Sequence, residues 1–369
     1  MILNSFKFKH SLVAGAFFAI FSASLVSCGG DGGKAGGSDS TGAATTDALI
    51  GAGSSFDAPL FSKQFSEYNK IGGLQINYQS VGSGAGISQL TAKTVDFGAS
   101  DAPMNGKQDS ALTAPAIHIP VTAGAVVLSY NLPEVKDTLM LTPDVLANIF
   151  LGTITKWNDP KIAAINKGVK LPSTAIVVAH RSDGSGTSNI FTTYLSKVSP
   201  DWSTKVGKGS SVNWPAGLGG KGNEGVAGTI KQTPGCIGYI ELAYAIQNNM
   251  AYAKMQNKAG NFITPSIASV TAAANIQIPA DTKVSLTNTE AADGYPISGF
   301  SWVIIYKEQK YGDRSLDRAT KILKLISWMI HDGQQFSSAL NYAPLSPAAV
   351  SAGDAVLKSA TYDGKPILQ

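Results

Sequence analysis

From Ala48 onward, short β-prone runs alternate with stretches whose apolar positions recur at helical spacing. Ala48-Leu49-Ile50 starts a strand, Gly51-Ala52-Gly53-Ser54-Ser55 turns, and Leu60, Phe61 and Phe65 mark one face of a helix. A strand over Leu74 to Gln79 leads through Gly82-Ser83-Gly84-Ala85-Gly86 into a short helix carrying Ile87 and Leu90, and Val95 to Ala99 reads as a buried strand. Ile117 to Tyr130 is a long β-prone stretch. Thr142-Pro143-Asp144 then supplies a cap, a first-turn proline and an acidic first turn to a helix that Gly152 ends. The same grammar returns at Thr174 to Ala179, where a β-branched run meets Arg181-Ser182-Asp183-Gly184-Ser185-Gly186-Thr187 and a helix with Ile190, Phe191, Tyr194 and Leu195 on one face. Gly207 to Gly228 reads as loop, Gly238-Tyr239-Ile240 as the start of an ordered segment, and Phe300 to Tyr306 as a buried strand. Ile322, Leu323, Ile326, Met329 and Ile330 mark an amphipathic helix that Gly333 stops. Strands alternating with helices imply an α/β fold with largely parallel sheets. No single linker divides the chain after residue 49, so two lobes have to share it by crossing between them more than once.

The beginning of the chain breaks this pattern. Lys7 and Lys9 precede an uncharged apolar run from Leu12 to Val26, the build of a secretory signal peptide. A single-span membrane anchor is the competing reading, but the run is shorter than the roughly 18 to 20 residues that cross hydrocarbon. Leu25-Val26-Ser27-Cys28 reads as a lipobox with Cys28 as lipid acceptor; the plainer alternative is a secreted chain with a chance cysteine. From Gly29 to about Ala48 the chain is Gly, Ser, Thr and Ala with few charges, too poor in apolar residues for a core. As a flexible tether of about 20 residues it reaches roughly 25 Å, enough to hold a globular domain just above a membrane.

About 320 residues remain after the tether, more than one core usually takes, which predicts two domains of ordinary size. Discounting Lys7 and Lys9 takes the formal net charge from +4 to +2, so no basic stripe argues for nucleic acid. Cys236 is the one cysteine beyond Cys28, which excludes a disulfide framework and a thiolate metal cluster. His10, His118, His180 and His331 are scattered without metal-ligand spacing, and no fixed-period repeat suggests a solenoid or propeller.

Candidate chemistry sits at three Gly/Ser-rich loops that each open a helix. A helix start offers unpaired N–H groups and about half a positive charge, which together favour an anion. Any one such loop is also an ordinary helix entry; three in one α/β chain, with Arg181 in the third, make convergence on an oxyanion the sharper reading. Asp183 to Thr187 lacks the lysine of a nucleotide-binding P-loop, and no dinucleotide fingerprint is followed by a suitable acid. There is no Gly-x-Ser-x-Gly elbow, and His180, beside Arg181, is the single base candidate for a serine enzyme; its plainer role is a strand-end residue.

Four segments together carry a family resemblance: Gly51-Ala52-Gly53-Ser54-Ser55-Phe56, Val95 to Pro103, Arg181 to Thr187, and Gly217-Leu218-Gly219-Gly220-Lys221-Gly222-Asn223. In this order the chain from about residue 49 to its end resembles the phosphate-binding proteins of high-affinity phosphate ABC importers. The resemblance implies a two-lobed type II periplasmic-binding-protein-like fold with inorganic phosphate held in the cleft between the lobes, and no cofactor and no catalysis. It implies that Ser55 supplies a hydroxyl and backbone N–H, Phe56 a backbone N–H, and Ser83 a further group. Asp101 and Arg181 would face the ligand, Ser185, Gly186 and Thr187 would donate from the third helix start, and Asp183 would orient Arg181. Ser55 stands where the family often has Thr, and Cys236 where Ala is usual.

Those residue types suit the ligand. Arginine's planar fork matches oxyanion geometry, and bonds to it are about twice as strong as neutral ones. A carboxylate at Asp101 should repel an anion unless the ligand brings a proton that it can accept. Phosphate near neutral pH has such a proton and sulfate does not, so sulfate would leave two acceptors face to face, a mismatch of about 1 to 3 kcal/mol. The plainer reading of Asp101 is a strand-end cap.

The expectation is therefore a signal peptide over 1–27, a lipidated Cys28 and tether over 28–48, one lobe from 49–128 plus 295–369, and the other from 129–294. The protein would sit outside the cytoplasm as a lipid-anchored monomer, close its lobes on phosphate and dock on ABC importer permease subunits. Binding of arsenate, sulfate or molybdate is the first rival reading, and a secreted phosphoester hydrolase the second.

Overall fold

The computed structural model describes residues 48–368. Cys28, the expected signal peptide and nearly all of the tether lie outside the described residues. The main sheet runs, from one edge to the other, through strands Ile76–Ser80, Leu49–Gly53, Phe97–Ser100, Ser298–Tyr306, Ala116–Tyr130, Cys236–Glu241, Val177–Arg181 and Leu218–Gly220. The first three pair in parallel, as do the last three, while the middle pairings are antiparallel. Parallel neighbours require crossover connections, and the helices between the strands supply them.

Ala116–Tyr130 is the shared spine. Its residues Ala116 to Ala125 pair with Ser298–Tyr306, whereas Val126 to Tyr130 pair with Cys236–Glu241. One strand thus belongs to both halves of the sheet, and every residue from His118 to Tyr130 is buried. That burial accounts for a long β-branched run without alternation in the sequence.

Within one continuous hydrophobic core each half carries an aromatic cluster. Phe61, Phe65, Tyr78 and Phe97 pack edge-on and stacked in the first. Phe150, Phe191, Trp214 and Tyr239 do so in the second, with Phe191 and Tyr239 stacked at 4.4 Å. The helices that cover these clusters begin where the sequence signals them: Ala58–Gly72, Ser83–Thr91, Pro143–Phe150 with Thr142 capping Val145 N–H, and Gly186–Val198 with Ser185 capping Ser188 N–H. Strand starts differ slightly, at Ile76 rather than Leu74 and at Val177 rather than Thr174.

The expected loop from Gly207 to Gly228 is corrected by the structure. It contains strand Leu218–Gly220 and the beginning of helix Gly222–Gln232. The glycines there serve close approach: a Cβ on Gly220 would lie 2.6 Å from the backbone of Gly225 and Val226. The strand can turn straight back into its helix only because neither partner carries a side chain. Helix Leu316–Ile330 likewise ends before Gly333, and the chain continues as a 3-10 turn over Asp332–Phe336.

Candidate functional site

The loops that follow the parallel strands of both halves converge at the centre of the sheet, the usual place for a ligand in an open α/β sheet. Leu49–Gly53 ends at Ser54 and Ser55, Phe97–Ser100 at Asp101, Val177–Arg181 at its own Arg181, and Cys236–Glu241 at Glu241. Ser54, Ser55, Ser83, Asp101, Arg181, Ser185 and Thr187 are all buried. The two sides touch: Gly84 N–H donates to the Gly184 carbonyl at 2.8 Å. Asn223 N–H and its amide both donate to Ser55 Oγ at 3.0 Å, and Tyr244 OH donates to the Ser55 carbonyl at 2.6 Å. Asn223, with its amide also 3.1 Å from Thr187 Oγ1 and its carbonyl accepting Glu241 N–H, ties the first loop to the second half.

Arg181 is gripped by Asp183. Its Nε and Nη2 make a fork onto Asp183 at 2.7 and 2.5 Å, while Nη1 lies 3.5 Å from Thr187 Oγ1. Asp183 also accepts Gly222 N–H at 3.2 Å, and its carboxyl stays below the usual range because the bonds from Arg181 outweigh its partial burial. Asp101 faces this pair: its Oδ2 is 3.4 Å from Thr187 Oγ1, and its Oδ1 accepts from Ser54 Oγ and, at 2.9 Å, from Ser301 Oγ. Burial pushes the Asp101 carboxyl up to about 6, against the hydrogen bonds from Ser54 and Ser301 and the charge of Arg181.

The structure brings together Ser55, Ser83, Asp101, Arg181, Asp183, Ser185, Gly186 and Thr187. Three of the expected donors are engaged inside the protein: Phe56 N–H donates to Ser54 Oγ at 2.9 Å, Gly186 N–H to Ser83 Oγ at 3.0 Å, and Ser185 N–H to the Ser210 carbonyl at 2.9 Å. Ser55 Oγ accepts twice from Asn223, so its own hydrogen is left for a third partner. Ser54, Asp57, Asn223, Glu241 and Ser301 escaped the sequence reading. Asn223 closes a quoted motif without a role there, and Ser301 interrupts an otherwise apolar strand, a signal that a buried polar residue has a partner.

Among the described residues, His180 and Ser185 do not form a nucleophile–base pair. His180 stacks on Trp214 at 4.9 Å with Nδ1 3.0 Å from the Arg181 carbonyl, and Ser185 Oγ accepts the Ser188 N–H. Among the described residues no group of His, Cys, Asp and Glu could hold a metal, and no helix is long and apolar enough to cross a membrane.

Two halves joined by a shared strand, with polar loops meeting in a buried cleft, define a two-lobed type II periplasmic-binding-protein-like architecture. Residues 38–332 match the family model described as PBP superfamily domain. The chain is 44% identical over 338 residues to the phosphate-binding protein PstS of Pasteurella multocida, covering 89% of this chain and 96% of that one. It is 45% identical over 307 residues to the PstS of Xylella fastidiosa, covering 82% of each. In fold it resembles the X-ray structure of a human phosphate-binding apolipoprotein, with a TM-score of 0.68 at 18% identity over 86% of this chain and 99% of that one. The chain belongs to the PstS family of phosphate-binding proteins within the PBP superfamily.

Proposed function

We propose that this protein captures inorganic phosphate in the cleft between its lobes and hands it to the permease subunits of an ABC importer, outside the cytoplasm. The observation that carries the ligand is the opposition of Asp101 to Arg181. Arg181, braced by Asp183, offers an oxyanion a cation; Asp101 offers an acceptor that only a protonated oxyanion can satisfy. Ser55 and Ser83 supply hydroxyls from one lobe, and Ser185, Gly186 and Thr187 supply hydroxyls and N–H groups from the start of Gly186–Val198. Phe56 adds its N–H on exchanging Ser54 Oγ for the ligand, and Gly186 does likewise on releasing Ser83. Membership of the PstS family supports both the ligand and the transport role.

A ligand that touches both lobes favours their closed arrangement, so binding is coupled to a hinge motion. The lobes are 49–128 plus 295–369 and 129–294, with Ala116–Tyr130 as a hinge element. Lipidation at Cys28, a tether over 28–48 and a monomeric state complete the reading; a chain held near a membrane has its permease within reach.

Calorimetry on protein lacking residues 1–28, refolded to strip ligand, tests this. Phosphate should bind one to one near neutral pH, sulfate should give no heat, and arsenate, which carries the same proton, should compete. Asp101→Asn should lose discrimination against sulfate by about tenfold or more. Absence of both heat and thermal stabilisation with phosphate would sink the reading.

A further inference from the structure

Asp57 occupies the N-cap position of helix Ala58–Gly72, yet its side chain makes no cap hydrogen bond. The carboxyl is fully buried, with Oδ2 2.5 Å from Ser301 Oγ. The same Ser301 Oγ lies 2.9 Å from Asp101 Oδ1. A serine hydroxyl has one hydrogen and can donate to only one of two carboxylates. For both short contacts to be hydrogen bonds, one of the two acids must itself carry a proton and donate it to Ser301.

The surroundings decide which. Asp101 receives hydroxyls from Ser54, Ser301 and Thr187 and feels the positive charge of Arg181, all of which favour its ionised form. Asp57 has Ser301 alone, and its Oδ1 is buried without a hydrogen-bond partner. The titratable groups acting on it are Asp101 from the adjoining turn, Glu241 from the end of Cys236–Glu241, Tyr78 from the edge strand, Tyr244 from helix Leu242–Gln247, and Tyr342 from the segment before Ser346. None of these is a cation. The helix start contributes a fraction of a positive charge, less than full burial removes. Burial and the Asp101 charge hold the Asp57 carboxyl well above the usual carboxylate range.

We propose that Asp57 is a specificity-determining residue that works through Asp101: as a neutral acid it donates to Ser301 Oγ, which turns the serine hydrogen onto Asp101 Oδ1 and presents Asp101 to the ligand as a pure acceptor. The direction of one hydrogen bond thereby settles whether Asp101 faces the ligand as a charged or a neutral acceptor. With the chain reversed, Ser301 donates to Asp57 and Asp101 is the neutral acid, its proton committed to Ser301 Oγ, so the cleft loses the carboxylate charge that repels a fully deprotonated oxyanion. The consequence for selectivity rests on the phosphate reading above; the location of the proton does not.

Infrared difference spectra of the full chain near neutral pH, wild type minus Asp57→Asn, test the location without any ligand. A carbonyl band of a protonated carboxylic acid is expected in the difference and should persist in a Glu241→Gln background. A difference spectrum without that band means Asp57 is ionised and overturns the proposal. Phosphate titrations across pH test the coupling. Ser301→Ala should bind phosphate about tenfold more weakly, with the acid-side midpoint of binding moved to higher pH because Asp101 has lost a donor. An unmoved midpoint would mean a merely structural role for Ser301 and overturn the coupling. If wild type itself gives no response to phosphate, the ligand assignment fails while the infrared outcome still decides the state of Asp57.

Discussion

Asp101 is the residue on which the proposed ligand chemistry and a measurable pH dependence both turn. Its carboxyl stands at about 6 in the folded protein against an ordinary 3.8, chiefly through burial. Between those values the native state keeps a proton that the unfolded chain has lost, so the contribution of Asp101 to stability is greatest below pH 3.8 and is lost as pH rises through 6. The shift corresponds to about 3 kcal/mol, and Asp101→Asn, which cannot ionise, should escape that loss. Thermal unfolding across pH 4 to 7 should therefore show the variant gaining on wild type by about 2 to 3 kcal/mol towards neutrality; parallel curves would refute the assignment. His118 acts with the opposite sign, since burial lowers it to about 3 and the native state resists its protonation as pH drops below 6.5. It is common to both proteins and cancels from the comparison. Asp101, Arg181 and Asp183 each lie in a contiguous motif that the sequence displays. The pairing of Asp57 with Ser301 is not displayed there: the break in the apolar strand at Ser301 says that it has a partner but not which, and the partner lies 244 positions away.

At the scale of elements, the first lobe hangs on an ion cluster outside the cleft. Asp96 accepts from Arg314 at 2.5 Å, from Arg318 at 2.7 and 2.6 Å, and from Ile50 N–H at 2.7 Å, binding helix Leu316–Ile330 to the first strand. Arg314 is buried and stacks on Tyr311 at 5.2 Å. Asp96→Asn leaves that guanidinium without its counter-charge, and should cost about 3 to 5 kcal/mol in urea unfolding. A loss below 1 kcal/mol would show the cluster to be dispensable. Gly220→Ala tests the strand–helix return of the second lobe. A Cβ placed 2.6 Å from the Gly225 backbone forces the turn apart and should cost about 1 to 3 kcal/mol. Composition misled here: a glycine-rich stretch reads as loop in sequence, whereas the glycines are where strand and helix press together.

For the whole molecule, the proposed closure on phosphate turns on how closely the lobes approach. Gly186 sits against Asp101, and a Cβ there would lie 2.6 Å from Asp101 N and 2.7 Å from its carboxylate. Gly186→Ala should wedge the lobes apart, weakening phosphate binding by about ten- to a hundredfold. Scattering should show a larger radius of gyration in saturating phosphate than for wild type. Unchanged affinity and dimensions would mean the two sides do not need to meet at this point. Asn223→Ala removes the side-chain bond from the second half to Ser55, and combined with Gly186→Ala should weaken binding by less than the two single losses together, since both act on one closure.

The sequence by itself determined the alternation of strands and helices, the starts of the capped helices, the motifs around Asp101 and Arg181, and membership of a binding-protein class. These are written in local signals: period, cap residues and contiguous loops. Only the tertiary structure decided that Ala116–Tyr130 serves both halves of the sheet, that Asn223 and Tyr244 lock onto Ser55, and that Ser301 links two buried acids. The reason is physical: a hydrogen in a low-dielectric cleft answers to every group within reach, and the chain brings those groups together from positions hundreds of residues apart.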